Sequence, residues 1–168
     1  MVYITSFVMM NHFCEGTIVS PLSCNDKYGA IKELISRAPV FSEASDKLEL
    51  EEAVIQREKI LSTGLGRGVA IAHGTTSTVG RLVIALGLSK EGIEFDAVDK
   101  APVHLLFVIA NPPEKQRDYL CALASLASIM RNSSFRQLLL ENDGTGQAEK
   151  ELAAAFRECL EKYQPKQI

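Results

Sequence analysis

The sequence lacks the residue patterns that usually hold a metal or form disulfides. It has four cysteines, and the spacing between Cys14, Cys24, Cys121 and Cys159 is too wide for the close pairs of zinc or redox motifs. Free thiols that pack inside a protein from a reducing compartment are the simplest interpretation. We therefore expect no metal site and no disulfide framework.

Long apolar runs and blocks of like charge are also missing. No stretch approaches the roughly twenty apolar residues that cross a bilayer, so we expect no stable membrane insertion. The 18 basic residues are scattered among 21 acidic ones, and the formal net charge is -3. Because this distribution has no basic block that would neutralise a run of phosphates, we expect no nucleic-acid partner.

The composition is that of one folded domain. Hydrophobic residues make up 46% of the 168 residues and charged residues 23%, the balance of a globular protein with a packed core. We predict a single domain over residues 1–168, with residues 1–16 as an uncertain N-terminal extension. This extension is apolar and has no basic leader, which favours a cytoplasmic protein. An edge strand, a flap that faces a partner and a misassigned start fit it equally.

Two helices are predicted in the first third of the chain. Asn25 offers a side-chain oxygen to cap a helix that begins at about residue 26, and Pro39 ends this helix because its ring cannot continue it. A second helix is predicted to start after Ser45 or Asp46. It carries Arg57 near its C-terminal end.

A glycine-rich segment, residues 62–68, follows the second helix. Its three glycines predict a turn, because glycine adopts backbone angles closed to other residues and lets another group approach closely. The string GLGRG within it superficially resembles a dinucleotide-binding loop. Such a loop follows a strand and opens a helix, whereas this one precedes a strand, so we reject that function.

Three strands and three further helices are predicted after this turn. The strands are residues 68–72, 82–88 and 103–110, which we expect to form the centre of the sheet, and Asn111-Pro112-Pro113 closes the last one. The helices begin at about Glu114, at Ser134 and after the Asp143-Gly144 break. Strands interleaved with helices predict an α/β fold whose sheet is covered by helices on both faces. The strand order does not follow from the pattern. The three-and-four spacing predicts that one buried face of the helix from Glu114 carries Leu120, Leu123, Ala124, Ala127 and Met130 or Arg131.

His73 is the strongest candidate for chemistry. Of the three histidines, it alone is predicted to stand at the end of a strand, where loops held by a sheet often carry function. The residues after it, Gly74 and a run of threonine and serine, supply hydroxyls and amides that could surround an anion. A neutral imidazole can accept a phosphoryl group and release it again. A loop histidine bonded to a neighbouring carbonyl explains the same pattern.

A phosphorylated imidazole needs a positive charge nearby, and Arg57 offers one. Its guanidinium presents a planar fork of donors that matches phosphate oxygens. Taken alone, Arg57 also fits a solvated residue on a helix surface. The sequence has no GxxxxGK[ST] loop, no metal-binding helix and no GxSxG turn, so the usual motifs for nucleotide, metal or serine chemistry do not compete.

Several segments in the same order resemble one known family, the enzyme IIA proteins of the fructose, mannitol and nitrogen type in the bacterial phosphotransferase system. The resemblance extends from about Thr17 to nearly the end of the chain. The segments that carry it are residues 56–59 (QREK), 62–66 (STGLG), 68–74 (GVAIAHG), 95–99 (FDAVD), 102–103 (PV) and 105–107 (LLF).

This resemblance implies a mixed central sheet between helical layers, a three-layer α/β/α arrangement. It implies that His73 takes phosphate from the phosphocarrier protein HPr, that Arg57 lies beside it, and that no cofactor is needed. IIB proteins or regulatory targets would be the further partners. The residues expected to bind the phosphate are Thr63, Gly74, Thr75 and Tyr119.

Two departures from the family pattern bear on function. Family members usually have proline where this chain has Ala72, and a second histidine where it has Tyr119. A tyrosine hydroxyl can donate a hydrogen bond to a phosphoryl group but carries no positive charge. We expect a phosphohistidine carrier, closest to the nitrogen-regulatory branch because the chain is free-standing. The alternatives are a sugar-specific IIA and a non-catalytic regulatory module that keeps the IIA surface.

Overall fold

The computed structural model describes residues 17–142 and 146–163 of the chain. The described part contains a sheet of five strands and five α-helices, with short 3-10 turns at Pro39–Glu43 and Pro113–Lys115. The strands are β1 (Ile18–Val19), β2 (Gly64–Gly66), β3 (Val69–Thr75), β4 (Val83–Ile93) and β5 (Val103–Asn111). The helices are α1 (Lys27–Arg37), α2 (Lys47–Ile60), α3 (Gln116–Ile129), α4 (Ser133–Asn142) and α5 (Gly146–Tyr163).

The sheet is mixed, with strand order β1-β4-β5-β3-β2. Strand β3 runs parallel to β5, and β1 runs parallel to β4. The pairs β4 with β5 and β2 with β3 are antiparallel. The three strands expected at the centre, β3, β4 and β5, therefore do occupy it, with the two short strands at the edges.

Helices cover both faces of this sheet, as expected for a three-layer α/β/α protein. Helices α1 and α2 pack against one face, and α3, α4 and α5 pack against the other. Side chains of β3 alternate between these layers because successive residues of a strand point to opposite faces. Ala70 and Ala72 face α1 and α2, whereas Val69 and Ile71 face the opposite layer. The same alternation directs His73 toward the α3 side.

The ends of α1 and α2 follow from their capping residues. The Asp26 carboxylate accepts a hydrogen bond from the backbone amide of Gly29 at 2.8 Å, so Asp26 caps α1. Our choice of Asn25 as the cap was wrong by one residue, because Asp26 is the last residue with extended backbone angles. Asp46 caps α2 as predicted, and α1 ends before Pro39 as predicted.

Residues 62–68 form a hairpin and not only a turn. The segment contains β2, which pairs with β3, and the chain reverses at Gly66, Arg67 and Gly68. All three have positive φ angles, 86°, 58° and 77°, which explains the two glycines. The Asp99 carboxylate accepts a hydrogen bond from the Arg67 amide at 2.8 Å and holds this turn in place.

The predicted buried face of α3 was right only in part, because Met130 is buried and Leu123 and Ala127 pack partly buried against the core, but Leu120 does not. Leu120 is 59% exposed, and the side chains that face the sheet lie on a neighbouring stripe of the helix. Its sequence is apolar around much of its circumference, so periodicity alone did not determine which stripe packs inward. The buried residues of α3 are Ala122, Ser125, Leu126 and Ile129.

Some expectations fall outside the described residues. The extension 1–16, including Cys14, and the Asp143-Gly144 break belong to this group. Among the described cysteines, Cys24, Cys121 and Cys159 are free thiols. None of the described helices combines the length and the apolar character that crossing a membrane would take.

Candidate functional site

His73 lies inside β3, two residues before the strand ends at Thr75. The sequence analysis therefore placed the end of this strand too early, because β3 continues to pair with β5 as far as Thr75 and Asn111. Its side chain is half-buried on the sheet face that α3 covers. The ring is thus held by a strand and is still reachable from outside.

The hydrogen bond of the imidazole defines its tautomer. Nδ1 of His73 lies 3.1 Å from the carbonyl oxygen of Ile71. A carbonyl oxygen only accepts, so Nδ1 carries the proton and donates it. The second nitrogen, Nε2, then has a free lone pair.

The surroundings also keep this ring uncharged. Burial lowers the pKa of His73 below the ordinary value of 6.5, and the positive charge of Arg57 lowers it further. The hydrogen bond to Ile71 and the negative charge of Glu58 act in the opposite direction but do not outweigh them. At neutral pH the imidazole is therefore uncharged, and the lone pair on Nε2 is the kind of group that can act as a nucleophile.

Tyr119 lies beside this imidazole. It belongs to the first turn of α3, and its ring centroid is 5.1 Å from that of His73, with the two ring planes inclined at 44°. Burial raises the pKa of Tyr119 above its ordinary value, against the opposing charge of Arg57. The phenol is thus a neutral hydroxyl donor next to the histidine.

Arg57 is in the last turn of α2, and its Nη1 donates to the backbone carbonyl of Leu61 at 3.1 Å. Its positive charge lowers the pKa of both His73 and Tyr119. One guanidinium therefore acts on both rings. Among the described residues, Leu61 takes one of the guanidinium N–H groups, and the planar fork has further donors of the kind that bind an anion.

Thr63 has a different contact from the one expected of a phosphate ligand. It is buried, and its hydroxyl donates to the Glu58 carboxylate, which also accepts a hydrogen bond from the Thr63 amide at 3.0 Å. Because an ionised carboxylate cannot donate, the hydroxyl hydrogen of Thr63 is committed to Glu58. Thr63 thereby joins the end of α2 to the start of β2.

Gly74 and Thr75 also have defined positions. A Cβ on Gly74 would lie 2.8 Å from the backbone nitrogen of Val54 and 2.9 Å from the carbonyl carbon of Ala53, so the glycine lets α2 approach β3 closely. Thr75 is exposed, and its hydroxyl accepts a hydrogen bond from Gln116 at 3.3 Å. It therefore lies between the end of β3 and the first residue of α3.

Asn111, Glu58 and Lys27 are polar residues of this region that the sequence analysis did not select. Asn111 is buried at the end of β5, opposite Thr75, and its side-chain amide has no hydrogen-bond partner within the described part of the chain. The signal in the sequence was a polar residue at the end of an apolar strand. Because two prolines follow it, we interpreted Asn111 only as part of the strand's end. Glu58 and Lys27 have no local signal, because their contacts join distant segments.

The assembled groups suit a negatively charged ligand. They comprise a nucleophilic nitrogen on His73, a hydroxyl on Tyr119 and a guanidinium on Arg57. Helix α3 begins nearby without a side-chain cap from Lys115, and a helix N-terminus carries partial positive charge. Among residues 17–142 and 146–163, no cluster of His, Cys, Asp and Glu side chains is arranged to hold a metal ion.

Residues 11–154 match the family described as "Phosphoenolpyruvate-dependent sugar phosphotransferase system, EIIA 2". The chain belongs to this family. This match confirms the resemblance seen in the sequence, and the three-layer arrangement is the fold of this family.

Two relatives of this IIA protein come from different functional branches. The fructose-specific EIIA component of Haloferax volcanii is 36% identical over 115 residues, which cover 68% of this chain and 75% of the relative. A nitrogen regulatory protein of Bradyrhizobium diazoefficiens is 30% identical over 122 residues, 73% of this chain and 79% of the relative. A third relative, the fructose-specific EIIABC component of Bacillus subtilis, is 33% identical over 74% of this chain, which spans only 20% of that protein.

Solved structures show the same fold. The crystal structure of the nitrogen regulatory protein IIA-Ntr from Neisseria meningitidis superposes with a TM-score of 0.74 at 28% identity, covering 89% of this chain and 99% of that one. IIA mannitol from Escherichia coli resembles this chain in fold, with a TM-score of 0.62 at 20% identity over 84% of this chain and 96% of that one. The mannitol IIA has also been solved in complex with phosphorylated IIB, and that structure resembles this chain with a TM-score of 0.63 at 18% identity over 86% of this chain and 96% of that one.

Proposed function

We propose that this protein is a phosphohistidine carrier of the phosphotransferase system, and that Nε2 of His73 accepts the phosphoryl group from an HPr-like carrier. The observation that carries the proposal is the hydrogen bond of 3.1 Å from Nδ1 to the Ile71 carbonyl. It leaves Nε2 as the nucleophilic nitrogen of a neutral ring. The low pKa of His73, caused first by burial, supports the same assignment.

The transfer exchanges one phosphorus–nitrogen bond for another. Nε2 of His73 attacks the phosphorus of the donor's phosphohistidine, the bond from phosphorus to the donor nitrogen breaks, and the electron pair of that bond returns to the donor imidazole. No water and no cofactor take part. Arg57 offsets the charge on the phosphoryl oxygens while the group lies between the two nitrogens.

Tyr119 and Thr75 are the side chains we propose as hydroxyl contacts of the bound phosphoryl group. Tyr119 stands at the family's second histidine position, and its ring contacts that of His73. Thr75 lies on the same sheet face, since it follows His73 by two residues in β3. We propose backbone and packing roles for Gly74 and Thr63, because Gly74 admits α2 and Thr63 donates to Glu58.

The surface around these residues suits a protein partner. Three apolar side chains next to the site residues are exposed: Ile60 by 79%, Leu61 by 69% and Leu120 by 59%. Exposed apolar groups around a polar centre are typical of a protein-binding surface. We propose that HPr and then a IIB protein or a regulatory target bind there in turn.

The nitrogen-regulatory branch is our first choice for the biological role. The likeness to IIA-Ntr from Neisseria meningitidis, with a TM-score of 0.74 at 28% identity, supports it. The fructose-specific relatives support the second choice, a sugar-specific IIA that passes phosphate to a IIB protein. Phosphate transfer from the labelled protein to purified fructose-type IIB would favour the second choice.

Labelling with phosphate tests the carrier function. With phosphoenolpyruvate, enzyme I and HPr, the wild-type protein should gain one acid-labile phosphate. The variant His73→Ala should gain none, whereas His104→Ala, the matched control in β5, should be labelled like wild type. Unchanged labelling of a folded His73→Ala protein would refute the assignment.

A non-catalytic regulatory module remains the second candidate function. The observations that favour it are Tyr119 at the second histidine position and Ala72 in place of the usual proline. If the protein is a module of this kind, wild type and His73→Ala should bind the partner with the same affinity, and neither should be labelled with phosphate. Partner affinity that depends on His73 phosphorylation would exclude it.

A further inference from the structure

A buried ion pair lies behind the candidate site. Nζ of Lys27, in the first turn of α1, is 3.1 Å from Oε1 of Glu58 in the last turns of α2. The Glu58 side chain is 0% exposed and that of Lys27 is 14% exposed. Lys27 also lies 5.2 Å from the centre of the Phe95 ring, so an aromatic face covers the ammonium group.

Glu58 uses both carboxylate oxygens on its contacts. Oε1 accepts from the Thr63 amide at 3.0 Å and from Lys27, and Oε2 accepts from the Thr63 hydroxyl. Three donors around one buried carboxylate are the pattern of an ionised group. Without Lys27 this charge would be buried with no opposite charge among these contacts, which is strongly unfavourable.

These contacts close the short segment between α2 and β2. Glu58 holds Thr63 at its far end, and within the same segment the Leu61 carbonyl accepts from Nη1 of Arg57 at 3.1 Å. Ser62 is held as well, since its hydroxyl donates to the Phe95 carbonyl at 2.9 Å. The carbonyl that orients the guanidinium is therefore part of a loop fastened on both sides.

We propose that Lys27 is a positioning residue, which acts through Glu58 and Thr63 to hold the Leu61 carbonyl and thereby aim the Arg57 guanidinium at His73. A buried ion pair adds little net stability compared with apolar residues of the same size, but it defines one geometry. Phosphoryl transfer depends on such geometry, since a displacement of about 1 Å can cost about a hundredfold in rate. The expected effect on the transfer rate rests on the proposed carrier function, whereas the expected effect on the position of Arg57 holds without it.

The test replaces Lys27 with methionine, which keeps most of the side-chain stem and removes the charge. We expect Lys27→Met to lower the transfer rate at saturating HPr by about ten- to a hundredfold, with little change in KM for HPr. NMR relaxation of the Arg57 Nε–H group should report a lower order parameter than in wild type. Lys27→Arg, which keeps a cation, should restore much of both.

Two further variants separate positioning from general destabilisation. Lys32→Met, on the exposed side of the same helix, should match wild type in rate and in Arg57 order. The double variant Lys27→Met with Glu58→Gln should be no slower than the slower single variant, because the two residues act through each other. Additive losses in the double variant would overturn the proposal.

The decisive negative result is a folded Lys27→Met protein with the transfer rate and the Arg57 order parameter of wild type. If circular dichroism shows that Lys27→Met is unfolded, Glu58→Gln replaces it, with the same supporting and overturning results. If wild type accepts no phosphate, the carrier function fails. The Arg57 order parameter then still tests whether Lys27 and Glu58 position the guanidinium.

Discussion

The ring of His73 lies against the ring of Tyr119, with centroids 5.1 Å apart. Burial lowers the pKa of the imidazole and raises that of the phenol, so both rings are uncharged at neutral pH. The positive charge that acts on the pair comes from Arg57. A pair of histidines, which the family pattern would place here, could carry charge on either ring, so this pair should differ from it in pH dependence.

The pH dependence of His73 is the first prediction. Its pKa is lowered below 6.5 by burial, then by Arg57. Only the neutral ring is nucleophilic, so the transfer rate should stay level across neutral pH. As the pH is lowered the ring becomes protonated and the rate should fall, with the midpoint of this fall at a pH below 6.5. Arg57→Gln should move the NMR titration midpoint of His73 upward, since it removes a positive charge. A wild-type midpoint above 6.5, or a downward move in the variant, would contradict the assignment.

Arg57→Lys should slow phosphoryl transfer by about tenfold or more. The guanidinium donates to Leu61 and keeps further donors in a planar fork, whereas a lysine ammonium has one nitrogen and cannot do both in the same geometry. Rapid-quench transfer from phosphorylated HPr measures the rate. Lys59→Arg, a charge-conserving change on the same helix, is the matched control. Equal rates for Arg57→Lys and wild type would show that charge alone suffices.

Tyr119→Phe removes the hydroxyl and keeps the ring next to His73. If the hydroxyl donates to the phosphoryl group, its loss costs about 1.5 kcal/mol. The equilibrium constant for phosphoryl transfer from HPr to the protein should then be about tenfold lower than in wild type. The equilibrium between phosphorylated HPr and the protein is the measurement. Tyr163→Phe, at an exposed position of α5, should leave it unchanged. An unchanged equilibrium in Tyr119→Phe would show that the hydroxyl does not donate to the phosphoryl group.

Gly74→Ala should destabilise the fold by about 1 to 3 kcal/mol. The added Cβ would lie 2.8 Å from the Val54 nitrogen and 2.9 Å from the Ala53 carbonyl carbon, so α2 would have to move away from β3. Urea unfolding measures the change. Gly80→Ala is the control, because a Cβ there meets no atom within 4 Å. Equal destabilisation by the two changes would refute the close approach.

Glu33 should contribute to stability at neutral pH and lose that contribution in acid. Burial opposes its ionisation, but hydrogen bonds from the amides of Cys24 and Ser23 and from Arg37 outweigh burial and lower the pKa of Glu33 to about 2. The lowered folded pKa means that the stabilisation is complete above an unfolded value of about 4.3 and is lost as the pH falls toward about 2.

Glu33→Gln should therefore cost about 1 kcal/mol at pH 7, a value reduced for solvent screening at the surface. The difference from wild type should disappear as the pH approaches about 2. Urea unfolding at several pH values measures both effects, with the exposed Glu91→Gln as the control. A constant difference between Glu33→Gln and wild type at all pH values would contradict the linkage.

Much of the fold was predictable because its signals are local. The apolar run of β5, the caps and prolines around α1 and α2, and the glycines at the β2–β3 turn each act within a few residues. The segments that contain His73 and Arg57 pointed to the IIA family for a related reason, since they join a helix end, a turn and a strand in a fixed order. The buried stripe of α3 was only partly predictable, because the helix is apolar on several sides: Met130 is buried as expected, whereas Leu120 is exposed.

By itself, the sequence determined the fold class, the family and the two residues, His73 and Arg57, around which the proposed chemistry is built. Only the tertiary structure decided that Nε2 is the unprotonated nitrogen, that Tyr119 contacts the imidazole, and that Thr63 donates to Glu58. The reason is physical. Local patterns set backbone geometry within an element, whereas these contacts depend on how separate elements pack, which no local pattern of residues specifies.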